Sequence, residues 1–127
     1  MILTESARLR LRTMRRGDLD ELYTLLSDAE VMRWLEPPFT REQTERFLEQ
    51  AGLSEPPLIY AAESAAGEFL GYVIYHDYDE RSRELGWVLK RSAWHKGYAD
   101  EMTDLLTALA RREGEDAVIE CVPEQTV

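Results

Sequence analysis

The chain has 127 residues, 44% hydrophobic and 31% charged, the proportions of one globular domain able to bury about two thirds of its unfolded surface. Twenty-five acidic residues against 15 basic ones give a formal net charge of -10. That balance argues against nucleic acid or an anionic membrane as the main partner, because phosphate binding needs clustered cations. It suits a cationic or amine-bearing ligand, or solubility alone. Cys121 is the only cysteine, which excludes an internal disulfide framework and any CxxC motif. His76 and His95 lack metal-ligand spacing, so no metal site is expected. Met1 to Ser6 shows no basic region followed by an apolar run. No apolar stretch approaches the roughly 20 residues that span a bilayer. A cytoplasmic protein is expected.

Period-two alternation over Arg8–Met14 predicts a half-buried strand with Leu9 and Leu11 on one face. Arg15-Arg16-Gly17 turns the chain, and Asp18 reads as the N-cap of a helix carrying Leu19, Leu22, Tyr23 and Leu26. Ser27–Glu30 opens a short helix with Val31, Trp34 and Leu35, which Pro37-Pro38 ends. Thr40 with Gln43 three residues on matches a capping box, predicting a helix to about Ala51 closed by Gly52. Three strands follow, Leu58–Glu63, Phe69–His76 and Arg83–Leu89. Their short links at Ala66-Gly67 and Asp77–Ser82 make an antiparallel meander. Ala99, Met102, Leu105, Leu106 and Leu109 form a helical apolar stripe that Gly114 ends, and Ala117–Val122 is a last strand stopped by Pro123. The order implies a mixed sheet with helices on its faces.

The segment from Glu84 to Ala110 carries the chemistry. A short loop with Gly97 passes from a strand straight into a helix, whose first N–H groups lack intrahelical partners and sit at the positive end of the dipole. Such a junction binds anions, phosphates in particular. Gly97 permits close backbone approach and Lys96 adds a cation. The spacing matches neither a Walker A loop nor GxGxxG, and an ordinary strand-to-helix turn is the competing reading.

These residues, with Leu3-Thr4-Glu5, Arg8-Leu-Arg-Leu-Arg12, Leu26-Ser-Asp-Ala-Glu-Val-Met-Arg33, Phe69-Leu-Gly-Tyr72, Arg83-Glu-Leu-Gly-Trp87 and Trp94-His-Lys-Gly-Tyr-Ala-Asp-Glu101, resemble the GNAT superfamily of acyl-coenzyme A-dependent N-acetyltransferases, in its RimJ/RimL-type branch. The resemblance covers nearly the whole chain. It implies an α+β fold, a mostly antiparallel twisted sheet flanked by helices, with acetyl-coenzyme A as co-substrate. It makes His95, Lys96, Gly97, Tyr98 and Ala99 the turn that binds the pyrophosphate. Trp94 stands where relatives often have Gln or Arg. His95 replaces a common Gly, and so either adds a donor or crowds the turn. Asp100 favours the helix dipole but would repel a nearby phosphate unless it points to solvent.

In that fold the strand ending at Leu89 and the strand beginning near Ala117 part, and the pantetheine arm lies between them. The backbone groups of Trp87, Val88 and Leu89 are then free for its amides, and one N–H can polarise the thioester carbonyl. Plain core packing is the other reading of Trp87 and Leu89. Amide formation needs a neutral amine, which Glu84 would supply by taking its proton, as a Glu at the matching position often does in the family. The alternative is a surface carboxylate paired with Arg81 or Arg83. His76 is a second candidate base or a structural histidine. Trp34, Leu35 and Phe39 either border the acceptor or fill the core, and Cys121 is expected to be buried and inert. No Ser-His-Asp or Cys-His arrangement is readable, which favours direct transfer over an acyl-enzyme.

The family normally continues past the position of Val127 with another helix and two strands. That helix often supplies a Tyr as proton donor to the thiolate, and Gln125 falls near a common Asn. The expectation is a C-terminally truncated domain, with the Ala117–Val122 edge open to pairing and hence a homodimer. Two readings compete with acetyl transfer to a protein N-terminus, an aminoglycoside or a small amine. One is a non-catalytic acyl-coenzyme A-binding or regulatory module; the other is an interaction domain whose turn at Gly97 binds nothing.

Overall fold

The structure is a computed structural model, and it describes residues 1–119. One six-stranded sheet organises it, in the order β1 (Ile2–Glu5), β2 (Leu9–Arg12), β3 (Ile59–Ser64), β4 (Phe69–Asp77), β5 (Ser82–Leu89) and β6 (Asp116–Ile119). Neighbours are antiparallel from β1 to β5, and β6 pairs parallel with β5, so the sheet is mixed. Between β2 and β3 run α1 (Leu19–Leu26), α2 (Ala29–Met32) and α3 (Arg41–Phe47), and α4 (Tyr98–Arg112) carries the chain from β5 to β6.

Alternation along the strands divides the core. Leu9, Leu11, Val73, Tyr75, Leu85 and Leu89 pack with Met102, Leu106 and Ala110 of α4. The opposite face, with Ile59, Ala61, Phe69, Tyr72 and Val88, packs against Leu22, Leu25, Leu26, Val31, Met32 and Leu48. Each fully buried leucine contributes about 1.5–3 kcal/mol, so the two layers hold the sheet between them.

The expected elements form with shifts of a residue or two, and one strand is additional. Ile2–Glu5 pairs with β2 through a register break between Ile2 and Thr4, whereas the alternation starting at Arg8 pointed to β2 alone. The capping box at α3 is present in both directions: Thr40 Oγ1 accepts from the Gln43 N–H at 3.1 Å and Gln43 Oε1 from the Thr40 N–H at 2.8 Å. A π-helical turn over Leu48–Gly52 extends that helix to the predicted end. Asp18 precedes α1 but makes no side-chain cap to it. Its carboxylate instead takes two hydrogen bonds from Arg12, both 2.9 Å, and one from the Arg15 N–H at 2.9 Å. Arg12 also reaches Glu63 at 3.0 Å, so a buried guanidinium holds two buried carboxylates beneath β2 and β3. The second half of the predicted last strand, with Cys121, lies outside the described residues.

Candidate active site

β5 leads to the junction. After Leu89 a short 3-10 turn, Arg91–Ala93, delivers Trp94, which is half-buried between the two core layers. The Trp94 indole N–H donates to the Leu89 carbonyl at 2.8 Å, fixing the ring against the end of β5. His95 then takes a left-handed backbone, φ 60°, and Gly97 another, φ 80°. His95 thus occupies a conformation that glycine enters freely and other L residues at a cost of roughly 1–2 kcal/mol. Gly97 is the N-cap of α4 and offers no side-chain hydrogen bond to the helix. The Glu101 N–H is the first to bond back, to the Gly97 carbonyl at 3.1 Å. The amides of Tyr98, Ala99 and Asp100 therefore precede the first intrahelical bond of α4, at the positive end of a 15-residue helix. Lys96 and His95 are exposed beside them, and Asp100 is exposed too, with room to turn its charge to solvent.

A second group of side chains, which the sequence did not single out, meets this loop from the turn between β1 and β2. Arg8 donates through Nη2 to the Lys96 carbonyl at 2.6 Å and through Nε to Glu101 at 2.8 Å. The Ser6 hydroxyl donates to the other Glu101 oxygen at 2.6 Å, and the Arg8 guanidinium lies 4.4 Å from the centre of the Tyr98 ring. Burial works to raise the pKa of Glu101, but the bonds from Ser6 and Arg8 outweigh it and hold the carboxyl below its ordinary value. Ninety-three positions separate Arg8 from Glu101, so only the paired sheet brings them together.

Along β5 the residues divide by face. Leu85, Trp87 and Leu89 lie toward α4, while Val88 lies on the α1–α3 side, which Glu84 and Gly86 share by alternation. Register places Glu84 directly opposite His76 on β4. His76 Nε2 is 3.0 Å from Glu84 Oε2, and His76 Nδ1 bonds the Asp77 carbonyl at 2.9 Å. The expected alternative partner, Arg83, goes elsewhere, to Asp77 at 3.2 Å and Glu113 at 3.7 Å. The two candidate bases therefore form one pair, each about a quarter exposed.

The Lys90 N–H bonds the Leu70 carbonyl, and antiparallel ladders alternate. Val88 therefore points its backbone groups at Tyr72 of β4, and Trp87 and Leu89 point theirs to the β6 side. The expectation of free backbone at all three positions is narrowed accordingly: Val88 belongs to the β4 ladder, and the Leu89 carbonyl already serves Trp94. The parallel pairing of β5 with β6 runs from Ser82↔Asp116 to Leu85↔Ile119. The expected parting of these strands falls beyond Ile119, outside the described residues, as does Gln125. Phe39 packs edge-on against Phe47, ring centres 6.0 Å apart, whereas Trp34 and Leu35 are 45% and 43% exposed. Phe39 is thus partly buried against the core, and the other two line an open surface.

Residues 8–126 match the acetyltransferase (GNAT) domain family. The chain belongs to this family. It is 27% identical over 111 residues to the uncharacterized N-acetyltransferase YnaD of Bacillus subtilis (strain 168), across 84% of this chain and 64% of that protein, and so spans less than two thirds of its relative's length. The fold is shared with a GNAT-family acetyltransferase from Bacillus anthracis, TM-score 0.86 and 24% identity, covering 99% of this chain and 76% of that one. It is also shared with the spermidine N-acetyltransferase of Vibrio cholerae, solved with coenzyme A and spermine, TM-score 0.65 and 23% identity, covering 78% and 61%. A third similar structure is the Salmonella typhimurium acetyltransferase that modifies the N-terminal serine of ribosomal protein L7/L12, TM-score 0.76 and 17% identity, covering 94% and 74%. Among the described residues of this GNAT domain, no group of three His, Cys, Asp or Glu side chains could hold a metal ion. None of its described helices is long and apolar enough to cross a membrane.

Proposed function

We propose that this GNAT domain transfers an acetyl group from acetyl-coenzyme A to a primary amine, as one unit over residues 1–127 of a cytoplasmic protein. The observation that carries the reading is the start of α4. Its leading amides have no side-chain cap, they are reached across a left-handed Gly97, and they sit at the end of β5 in a member of this family. A diphosphate is the ligand chemistry that such a cluster of donors favours. His95, Lys96, Gly97, Tyr98 and Ala99 would hold it, and the outward backbone of Trp87 and the Leu89 N–H would meet the pantetheine arm.

The acceptor amine must arrive without its proton, since free amines are mostly protonated near neutral pH. Glu84, on the α1–α3 face, is the proposed base, and His76 shares its task. The Asp77 carbonyl can only accept, so His76 Nδ1 carries hydrogen. His76 Nε2 lies 3.0 Å from the Glu84 carboxylate, so the two side chains stand together where the acceptor's proton would be taken up. In the transfer the amine nitrogen bonds the thioester carbonyl carbon, the carbon–sulfur bond breaks, the thiolate departs and the amine proton passes to the pair. No acyl-enzyme is needed. The spermidine enzyme and the ribosomal-protein enzyme of similar fold both act on amines, and the acidic balance here favours a cationic acceptor.

Calorimetry with coenzyme A, followed by thioester turnover across an amine panel, tests the reading. Saturable binding lost in Gly97→Glu is expected. Glu84→Gln should lower turnover by about a hundredfold or more and change the pH–rate profile while coenzyme A binding is kept. No binding by the folded wild type would leave an interaction domain with an empty turn. Binding without turnover on any amine would make the chain an acyl-coenzyme A-binding module.

A further inference from the structure

We propose that Arg8 is a positioning residue for coenzyme A, setting the orientation of the Lys96–Gly97 peptide so that the Gly97 amide faces the bound diphosphate. The proposal rests on the coenzyme reading above and adds a device to it. In a trans peptide the C=O and N–H point in opposite directions. The Lys96 carbonyl points at Arg8 Nη2, 2.6 Å away, so the Gly97 N–H points away from Arg8. The residues on either side of Lys96 both have left-handed backbone, and glycine adopts either sign of φ with little bias. Nothing intrinsic to the loop therefore keeps this peptide from turning over. A turned peptide would present a carbonyl where an anion needs a donor.

Arg8 supplies the missing constraint, and its own position is over-determined. Nε is fixed by Glu101, Glu101 is fixed again by Ser6, and the guanidinium plane rests on Tyr98. The fork is close enough to the glycine that a Cβ at position 97 would lie 3.3 Å from Nη2. Its charge already faces the Glu101 carboxylate, so the contribution to anion binding is aim rather than net charge. A lysine cannot replace it, because a single ammonium does not span the carbonyl and the carboxylate with the geometry of a planar fork.

The test measures coenzyme A affinity by calorimetry, and KM and kcat for acetyl-coenzyme A, in wild type, Arg8→Ala, Arg8→Lys and Glu101→Gln, with thermal melts as a control for folding. Arg8→Ala and Arg8→Lys are both expected to weaken coenzyme A by about tenfold or more, the loss of one charge-assisted bond, with KM raised and kcat within about twofold of wild type. Glu101→Gln should give a smaller loss of the same kind. Wild-type affinity in folded Arg8→Ala overturns the proposal, and so does full affinity in Arg8→Lys, which would make the charge itself the contributor. Should Arg8→Ala fail to fold, Arg8→Lys and Glu101→Gln decide by the same criteria. A wild type that melts cooperatively yet binds no coenzyme A overturns the coenzyme reading and this proposal together, a pattern distinct from binding that ignores position 8.

Discussion

At position 71 the backbone of one strand leaves no room for a side chain on the next. Gly71 has φ 150°, and a Cβ there would sit 2.0 Å from the Val88 carbonyl oxygen and 2.9 Å from the Leu89 Cα. Both obstacles are main chain and belong to the stretch of β5 that leads to the Gly97 loop. Gly71→Ala should cost about 3 kcal/mol or more, read as a shift in the urea midpoint, and should weaken coenzyme A binding by displacing that stretch. The chemistry of single positions was unevenly legible. Gly97 could be read because a glycine between a strand and a helix is a local signal. The partner of Glu84 could not, since His76 reaches it through a cross-strand register that nearby arginines on the hairpin gave no reason to expect. Arg8 was hidden further: within Arg8–Arg12 it reads as one more charge on the polar face of a strand, and only the folded sheet sets it beside Lys96.

Elements with strong apolar periodicity or a self-contained cap were legible, and two features that a tertiary partner decides were not. The Thr40–Gln43 box closes within four residues and was legible. β1 was missed because four residues at a sheet edge, half of them exposed, become a strand only through β2. Asp18 looked like the cap of α1, yet a guanidinium six residues earlier offers a bidentate, charge-assisted bond that outcompetes capping. That choice has a pH consequence. Burial pushes the carboxyls of Asp18 and Glu63 up, but the bonds from Arg12 prevail and hold both below their ordinary values of 3.8 and 4.5. Carboxylates held low stabilise the fold above the unfolded value, and that stability is lost as pH falls through the folded one, where the unfolded chain binds more protons. Urea midpoints between neutral pH and about pH 3 should therefore fall steeply below the ordinary carboxylate range. Arg12→Ala removes the bidentate bond to Asp18 and leaves Glu63 with Arg10 alone at 3.2 Å, and should cost about 3 kcal/mol at neutral pH, read as a shift in the urea midpoint.

For the whole molecule, the mixed sheet between two helical layers followed from the order of elements and the lengths of their links, whereas the parallel direction of the closing strand is set by the crossover through α4. The sheet has two outer strands among the described residues, β1 and β6, and both carry exposed apolar side chains, Ile2 at 45% and Ile119 at 41%. Unpaired ladder groups beside such side chains favour strand-to-strand association. Light scattering of this chain at rising concentration should show a dimer; a monomer at every concentration would speak against the edge as an interface.

The route from β5 to β6 has a consequence of its own. Adjacent parallel strands cannot be joined by a tight turn, so the intervening segment, 90–115, is a bridge anchored at both ends, and the loop proposed to hold the coenzyme is its first span. Losing the β6 pairing would leave α4 held by its packing on β5 but remove the restraint at the far end of the bridge, so a ligand held at the loop is expected to be felt at β6. Deuterium uptake at Ala117 and Val118 should slow when coenzyme A is added. At a hundred times its dissociation constant, a ligand that binds only the folded chain stabilises it by about 2.7 kcal/mol.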